Sequence, residues 1–576
     1  MIYLITSIIW IVTFMLVPKY KDKKNIWPTL FMTIMIYECY LCMFAGIMTV
    51  IRIPVDIYTV SVLNLLTIAG MVIAMCRIKK VQKYYIKIWD TIFIAAVALL
   101  IGYLMADRFT VDMKIIFQTI DPSAHLITTM DFVNRKAVGG MYVSQMINGL
   151  MIEALGNIFT NEFVYKSYII QYGLNFFMAA AVFWTVIEKY TKNVVIKVLG
   201  YIVTIVYVLG YPYNDMLYGF TYLQMTVTLI GYMIMLMQDY LQAEEKRQFW
   251  LIIMSMSCLA VSVGYTLFAP PVYIAVLICM LYKDRKEKVS FKKQVFHILE
   301  VFLIPSMITV YSIFVAAQVG DHPSYYNTAS LVAEGEAYRN LYSDFLLFSI
   351  PALYGSFAMY KKKKVTFLSF LLPIFGLYYI GIGALMMLDK MSTYYFYKLN
   401  YVVWMLVLIL FLMGMDEIYQ LKKTMFGIII GGIVLLSAIY VSGVETVLNS
   451  SEKQYLPYAD SGTFFRIYTC NKTFRENPAP KSDGLVEICG VVDETYHDGR
   501  VAYIGYWENL RWYDALTYQN DEDIRAEDVS QLLERFYSGE FGGYAVVEKG
   551  EGLEAYQDQL TEDSVYENDF GYIIKR

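Results

Sequence analysis

An aspartate and a histidine four residues apart form the sharpest chemical feature of this chain. They belong to the segment from Asp121 to Leu126, which reads Asp-Pro-Ser-Ala-His-Leu. Asp121 precedes its proline as an N-cap residue precedes the first residue of a helix, so a helix beginning here puts the carboxylate and the His125 imidazole on one turn. Such a carboxylate beside an apolar surface can act as a general base, and a neighbouring cation can bind a phosphate. A plain helix cap at Asp121 with an interfacial polar side chain at His125 fits the same residues, so both interpretations stay open.

The composition is that of a membrane protein. Of the 576 residues, 58% are hydrophobic and 17% are charged, whereas a soluble domain has about 25% charged residues. A helix that crosses the hydrocarbon core of a lipid bilayer needs about 20 mostly apolar residues. Runs of this kind begin near Ile2, Trp27, Tyr58, Asp90, Phe163, Val194, Leu217, Phe249, Phe268, Gln294, Leu341, Val365, Tyr394 and Met425. We therefore predict a polytopic α-helical membrane protein with about fourteen transmembrane helices.

The net charge of −4 averages two different regions. From Asn449 onward there are 25 acidic and 12 basic residues, whereas the rest of the chain has 26 acidic and 35 basic residues. Most of the latter basic residues lie in alternate connections between the apolar runs, which the positive-inside rule assigns to the cytoplasm. This pattern predicts a plasma-membrane protein with both its N-terminus and its acidic tail outside. No basic face is left on the soluble part, which excludes nucleic acid as a partner.

We predict three parts along the chain. Residues 1–89 hold three N-terminal helices, residues 90–448 form a membrane module, and residues 449–576 form an extracytoplasmic α/β domain. The module has two outer segments, 107–162 and 320–340, that are too long to be simple turns, and loops of this length are often functional. In the first of them, apolar residues recur at helical spacing from Met141 to Leu155, which is typical of a helix lying in the membrane interface.

Strand-like and helical patterns alternate in the tail, which favours a partly parallel sheet. The predicted strands are Leu485 to Val492, Arg500 to Tyr506, Tyr544 to Val547 and Tyr572 to Ile574, and the predicted helices are Ala526 to Tyr537 and Leu553 to Leu560.

Two groups of tail residues allow alternative interpretations. Cys470 and Cys489 can form a disulfide in this compartment, or remain two buried thiols. Aromatic residues cluster with polar neighbours, which suits either stacking on sugar rings or the core of a small domain. The cluster comprises Trp507, Glu508, Arg511, Trp512, Tyr513, Asp514 and Tyr518.

The segment from Asp121 to Leu126 resembles the Asp-x-x-x-His form of an acidic motif found in the C-type glycosyltransferase (GT-C) superfamily. Members of this superfamily are polytopic enzymes that use polyprenyl-phosphate-linked sugars, and the motif opens their first long external loop. The stretch that follows, through Glu162, resembles the helices of that loop that lie along the membrane. The resemblance is architectural over Asp90 to Val447 and reaches the level of a motif over six residues. In the family the loop usually follows the first helix, whereas here it follows the fourth.

The resemblance implies roles for particular residues. Asp121, with His125 in the same catalytic motif, would deprotonate an acceptor hydroxyl while the sugar leaves its lipid phosphate, as in an inverting transfer. The leaving phosphate needs positive charge in a site of low dielectric, and the outer cations placed to supply it are His125, His322, Arg339 and Lys398. Lys398 and Arg339 could equally be interfacial anchors. Asp107, Asp112 and Asp131 remain alternative bases, and Asp215 is interpreted as part of an ordinary outer turn. No metal-ligand set is predicted, and the resemblance leaves the use of a divalent metal open.

The predicted function is the transfer of a sugar from a polyprenyl-phosphate donor to a cell-envelope glycan or glycopolymer on the outer face. The predicted partners are this donor, the glycan acceptor and membrane lipid. The alternatives are a lipid-linked oligosaccharide flippase or polysaccharide export protein, and a non-catalytic scaffold for envelope synthesis. A flippase has no need of interfacial helices in an outer loop. The enzyme, in contrast, requires Asp121, His125, Arg339 and Lys398 to converge on one outer cavity.

Overall fold

The computed structural model describes residues 1–19, 22–51, 53, 55–115, 121–133, 143–156, 163–191, 193–243, 247–311, 342–362, 365–441, 483–495, 501–517, 528–550 and 553–576. The helices that precede the tail are α1 (Ile2–Leu16), α2 (Ile26–Val50), α3 (Ile57–Ile78), α4 (Ile88–Phe109), α5 (Asp121–Val133), α6 (Val143–Gly156), α7 (Phe163–Tyr190), α8 (Val194–Leu209), α9 (Tyr211–Tyr218), α10 (Thr221–Gln242), α11 (Arg247–Gly264), α12 (Ala269–Lys286), α13 (Phe291–Tyr311), α14 (Tyr342–Lys361), α15 (Phe367–Met387), α16 (Thr393–Leu421) and α17 (Lys423–Val441).

Each of the fourteen predicted apolar runs coincides with one of these helices. In the described part of the chain, ten helical segments are long and apolar enough to cross a membrane, and Ile2–Leu16 and Lys423–Leu436 are shorter apolar helices. The multi-pass membrane architecture is therefore confirmed, while the count of fourteen spans stays a prediction. α10 is not among the ten, although almost all of its residues are buried. A helix enclosed by other helices can carry Thr, Gln and Tyr side chains because it faces little lipid.

The helices form one bundle around α10. It packs against α7 and α11, while α2 packs against α7, α11 and α13, so the three N-terminal helices are joined closely to the rest. α14 and α16 make the most extensive helix pair. A Cβ atom at Gly355 would overlap the carbonyl oxygen of Leu410, and one at Gly414 would overlap that of Pro351. These two glycines permit close approach of the two backbones, as small residues do in membrane helix pairs.

The predicted basic connections lie at one end of the bundle and are paired with acidic residues. Glu188 accepts from Lys87 at 3.0 Å and from Lys197 at 2.6 Å, and Lys189 pairs with Asp239. Arg247 pairs with Glu287 at 2.6 Å and also with Asp284.

The N-terminus and the tail lie at the opposite end. The amino group of Met1 donates to the carbonyl oxygen of Ala154 in α6 at 3.0 Å, and Lys114, just after α4, pairs with Asp483 of the tail at 2.7 Å. The N-terminus, the long segment after α4 and the tail therefore share one side, in agreement with the predicted layout. Which face of the membrane this is stays a prediction.

The long segment after α4 contains the helices α5 and α6. The Asp121-Pro122 pair predicts the first of them and the apolar spacing from Met141 to Leu155 predicts the second. The apolar side chains of α6 are buried against protein, with Met146 7%, Leu150 0% and Ala154 2% exposed. α6 packs on α5, α7 and α10, so much of its apolar face is covered by protein. The prediction of an interfacial helix had this face in contact with the membrane.

The tail is a small α/β domain with a mixed sheet. Its helices are α18 (Asp483–Thr495), α19 (Trp507–Thr517), α20 (Val529–Ser538) and α21 (Gln557–Asp563), and its strands, numbered after the short pair β1 (Lys24–Asn25) and β2 (Tyr84–Tyr85), are β3 (Val501–Ile504), β4 (Tyr544–Glu548), β5 (Ser564–Glu567) and β6 (Gly571–Lys575). The sheet order is β3-β4-β6-β5. β3 and β4 are parallel and the other pairs are antiparallel, so a partly parallel sheet is observed.

One predicted strand of the tail is wrong. Leu485 to Val492 lies within helix α18, and its buried residues are Leu485, Ile488, Cys489 and Val492. Their spacing of three, one and three residues is helical, and it outweighs the apolar character of the run. β5 was not predicted, because its side chains alternate between partly buried and exposed over only four residues.

The apolar core of the tail is continuous with the neighbouring ends of the membrane helices. Phe109, Leu126 and Tyr172 of the bundle belong to the same buried cluster as Trp512 and Leu533 of the tail. The tail is thus docked on the bundle by packing. Cys489 is buried in this core, and Cys470 lies outside the described residues.

Candidate active site

Lys398 is buried at the start of α16, on the side of the bundle that carries the tail, inside a cage of aromatic rings. Its ammonium group lies 4.0 Å from the ring centroid of Tyr394, and it donates to the hydroxyl of Tyr222 at 2.6 Å. Three further rings, those of Phe220, Tyr222 and Tyr265, lie 4.8, 5.0 and 5.2 Å away. Aromatic faces attract cations, and this attraction grows when water is excluded. The side chain is 4% exposed, so the interpretation as a snorkelling anchor does not fit.

His125 is connected to this cage through Tyr222. The two rings meet edge to face with centroids 4.9 Å apart, and the Nδ1 atom of His125 lies 3.2 Å from the side-chain nitrogen of Gln145. Burial, with smaller contributions from Lys398 and Arg511, lowers the pKa of His125 to about 3. The ring is therefore neutral near pH 7, so it can exchange hydrogen bonds but supplies no positive charge to a phosphate.

Asp121 begins α5, as the Asp-Pro pair predicts, and lies within electrostatic reach of Lys398. Burial raises the pKa of its carboxyl group, while Lys398 and Arg511 act in the opposite direction. A carboxyl group that burial makes more basic is suited to accept a proton.

A glycine on α9 fixes the start of α5. Gly219 ends α9 in the left-handed region, at φ 82°, and a Cβ atom there would overlap the ring of Pro122. Both the backbone conformation and the contact require glycine. The end of α9 therefore sets the position of the residue that follows Asp121.

Asp215, interpreted from the sequence as part of a turn, lies instead in helix α9 and is 2% exposed. Its carboxylate acts on Lys398 as a second acidic group after Asp121. The Oδ1 atom accepts no hydrogen bond from any described residue. The turn prediction failed because Pro212, a common turn residue, is equally suited to the first turn of a helix, where it lies here.

Arg511 of the tail also faces the site. It lies on α19, which packs against α5, and its charge acts on both Asp121 and His125. The sequence placed it in an aromatic cluster whose role was open. Trp512 and Tyr513 are core residues, 1% and 0% exposed, whereas the preceding arginine is directed to the membrane part.

A narrow crevice lies next to His125. Its lining residues are His125, Gln145, Tyr168, Gln171, Thr221 and Tyr222, and the space between their atoms is about 190 Å³. Almost none of this space is wide enough for a water molecule, so a substrate group can enter the crevice only if the lining side chains move. The Oε1 atom of Gln145 is buried there and accepts no hydrogen bond from the described part of the protein.

The remaining predicted site residues are not brought into this site by the described structure. Asp107 and Asp112 are exposed at the end of α4 and in the turn after it. Asp131 lies in α5, but its side chain is outside the described part, as are His322 and Arg339 altogether.

A divalent metal does not fit the described residues of this site. Across the described ranges, no group of three or more His, Cys, Asp or Glu side chains is close enough to hold a metal. Moreover, the carboxylate of Asp121 is approached by two cations, Lys398 and Arg511, which disfavour a further positive ion.

No protein-family model matches the chain, and no curated protein matches it. Two solved structures are similar in overall shape, the crystal structures of ArnT from Cupriavidus metallidurans bound to undecaprenyl phosphate and in the apo state. Each is 11% identical and covers 84% of this chain and 97% of that chain, with TM-scores of 0.49 and 0.48.

Proposed function

We propose that this protein is a membrane glycosyltransferase that moves a sugar from a polyprenyl-phosphate donor to a hydroxyl of a cell-envelope glycan or glycopolymer. The observation that carries the proposal is the convergence of Asp121, His125 and Lys398 beside the ends of the membrane helices. His125 and Lys398 are 273 residues apart in the sequence. The donor class comes from the resemblance of the acidic motif.

In the proposed reaction, Asp121 takes the proton of the acceptor hydroxyl as its oxygen bonds to the anomeric carbon. The bond from that carbon to the phosphate oxygen breaks, and its electron pair leaves with the lipid phosphate. Lys398 stabilises the charge that develops on the phosphate. Water is largely excluded from the aromatic cage, so this stabilisation is larger than it would be in water.

His125 and the buried acceptors have a different part in this proposal. Neutral His125 orients a substrate group by a hydrogen bond. Oxygen acceptors of Gln145 and Asp215 are buried without a donor among the described residues, and such groups are costly to leave unpaired. Sugar hydroxyls are donors of the kind that these oxygens lack.

The proposal is tested in cells by deleting the gene and complementing it. The deletion should leave the envelope glycan without one sugar and should cause the polyprenyl-phosphate-linked sugar to accumulate. The wild-type gene should restore transfer, whereas Asp121→Asn should reduce it by about a hundredfold or more, as for loss of a general base.

Asp112→Asn is the matched control, since Asp112 is an exposed outer carboxylate close to the same segment. It should complement like wild type. Full complementation by Asp121→Asn would contradict the proposal, and loss only in Asp112→Asn would move the base to that residue. A lipid-linked sugar that accumulates on the inner leaflet alone would instead favour the flippase.

A further inference from the structure

The crevice beside His125 contains two oxygen atoms that have no hydrogen-bond partner among the described residues. They are Oε1 of Gln145 in α6 and Oγ1 of Thr221 at the start of α10, and both residues line the crevice. The two residues are 5% and 4% exposed, and almost none of the crevice is wide enough for water. Buried polar atoms without partners are uncommon in native proteins, and each of them is costly. The closed crevice therefore holds two oxygens that the hydroxyl groups of a ligand would satisfy.

Both oxygens belong to residues that are held in place by other contacts. The backbone N–H of Thr221 donates to the hydroxyl of Tyr172 at 2.8 Å, which anchors the first turn of α10. The side-chain nitrogen of Gln145 lies 3.2 Å from Nδ1 of His125, so the oxygen of the same amide is not used by the imidazole. The two oxygens are therefore fixed features of the crevice and not the ends of freely rotating side chains.

The crevice is one side chain away from Lys398. Tyr222 lines the crevice, and its hydroxyl accepts a hydrogen bond from the ammonium group of Lys398 at 2.6 Å. In the proposed function, Lys398 stabilises the phosphate of the donor, and the sugar is bonded directly to that phosphate. The group placed next to the crevice is then the donor sugar, and its hydroxyl groups are the ones that reach Gln145 and Thr221.

The described lining of the crevice is uncharged near pH 7. Its six residues are two tyrosines, two glutamines, a threonine and the neutral His125. A carboxylate or an ammonium group placed there would lose its water without gaining a partner of opposite charge, which costs far more than the burial of a neutral hydroxyl. Hydroxyl groups, in contrast, both donate to and accept from amides and other hydroxyls. The lining therefore favours a sugar whose substituents are hydroxyl groups.

We propose that the crevice opens to receive the donor sugar and that Gln145 and Thr221 select a neutral sugar over an acidic or an amino sugar. This inference rests on the proposed function, because it names the sugar class of the donor. The lining side chains separate as the ring enters, and hydroxyl groups of the sugar bond to the two oxygens. These bonds remove the cost of the unpaired oxygens, which offsets part of the cost of opening.

The affinity that the sugar adds to the lipid phosphate tests the inference apart from catalysis. Purified full-length protein in nanodiscs is titrated with bare polyprenyl phosphate and with polyprenyl phosphates that carry glucose, galactose or mannose. The sugar gain is the dissociation constant of bare polyprenyl phosphate divided by that of the tightest of these three. Thr221→Val and Gln145→Met should each lower the sugar gain about threefold to tenfold, as for the loss of one neutral hydrogen bond. Their affinity for bare polyprenyl phosphate should stay that of wild type.

Two further substitutions of threonine are the matched controls. Thr228→Val removes a buried hydroxyl of the same helix that donates to the carbonyl oxygen of Gln224 at 2.8 Å, whereas Thr221→Ser keeps the hydroxyl at the crevice. Both should keep the wild-type sugar gain within about twofold, because neither removes a hydrogen bond to the sugar.

The charge selectivity is measured on the wild-type protein. The uronic acid and the amino sugar of the same configuration, each linked to polyprenyl phosphate, should bind at least about tenfold more weakly than the neutral sugar, because the crevice offers no opposite charge. Equal affinity for either charged sugar would overturn the inference. So would a wild-type protein without a sugar gain, an unchanged gain in Thr221→Val or Gln145→Met, or an equal loss in Thr228→Val. No binding of bare polyprenyl phosphate by the wild-type protein would instead contradict the proposed function.

Discussion

Two buried lysines lie at the two ends of α10, one held by fixed carbonyl groups and the other assigned to the transfer reaction by the proposed function. Lys398 and Lys283 are each 4% exposed, and each lies over a tyrosine ring contributed by α10, Tyr222 and Tyr240 respectively. A helix of this length separates its ends by about 30 Å. The two environments differ in the hydrogen-bond acceptors that the protein provides to each ammonium group.

Lys283 is satisfied by the protein. It donates to the carbonyl oxygens of Tyr240 and Ala243, the latter at 2.6 Å, and pairs with Glu287 at 3.5 Å. These carbonyls belong to the C-terminal end of α10, where a cation is favourable. Lys283 therefore caps the C-terminal end of α10 and needs no ligand to satisfy its ammonium group.

Lys398 has fewer fixed acceptors. Among the described residues it donates to one hydroxyl, that of Tyr222, and no carboxylate lies within ion-pair distance. Its remaining donors face aromatic rings and the more distant carboxylates of Asp121 and Asp215. A buried cation that is only partly satisfied by its own protein marks the place where an anionic ligand gains most.

Replacing each lysine by methionine should separate the two roles most strongly. Lys398→Met should lower sugar transfer by about a hundredfold to a thousandfold, as for the loss of a preorganised charge. Lys283→Met should change transfer little but lower the thermal unfolding temperature in detergent, because two carbonyls lose their donor. Steady-state transfer and thermal unfolding are measured on both variants. Equal losses of transfer would remove the distinction between the two lysines.

A smaller effect is expected at the contact that positions Asp121. Gly219→Ala would strain a backbone at φ 82° and press on the Pro122 ring, and displacements of this kind commonly cost about tenfold or more in rate. The control is Gly102→Ala in α4, where a Cβ atom meets nothing within 4 Å. Transfer rates of both variants are compared at equal expression. A wild-type transfer rate for Gly219→Ala would show that the start of α5 can shift without loss of activity.

The smallest expected effect is a pH dependence of stability at His125. Its pKa is about 3 in the folded protein and 6.5 in the unfolded chain, so the unfolded state binds more protons between these values. The contribution to stability is complete above pH 6.5 and is lost progressively as the pH falls toward 3. His125→Gln should show a weaker loss over this window than wild type in thermal unfolding. An identical slope in the two proteins would mean that His125 is protonated normally when folded.

Much of the fold was predictable because apolar length and helical period are local properties. The positions of the membrane helices, the helix at Asp121 and most tail strands follow from runs such as Tyr544 to Val547. Leu485 to Val492 is helical and not a strand, because a short apolar run suits either structure and only the spacing of its buried residues distinguishes the two.

The site was only partly predictable because its members come from distant segments. Asp121 and His125 form a local motif, and Lys398 was suggested by its place at an outer helix end. Arg511 and Asp215 gave no local signal that distinguishes them from a core neighbour or a turn residue. Their roles depend on how α19 and α9 pack against α5 and α16, which is a tertiary property.

The most direct measurement is a single-turnover transfer assay with the purified protein, a polyprenyl-phosphate-linked sugar and an acceptor glycan, performed together with a donor-binding titration. We expect Asp121→Asn to bind the donor with wild-type affinity but to release polyprenyl phosphate about a hundredfold or more slowly, because it lacks the base and keeps the cations. Release at the wild-type rate by Asp121→Asn would contradict the account.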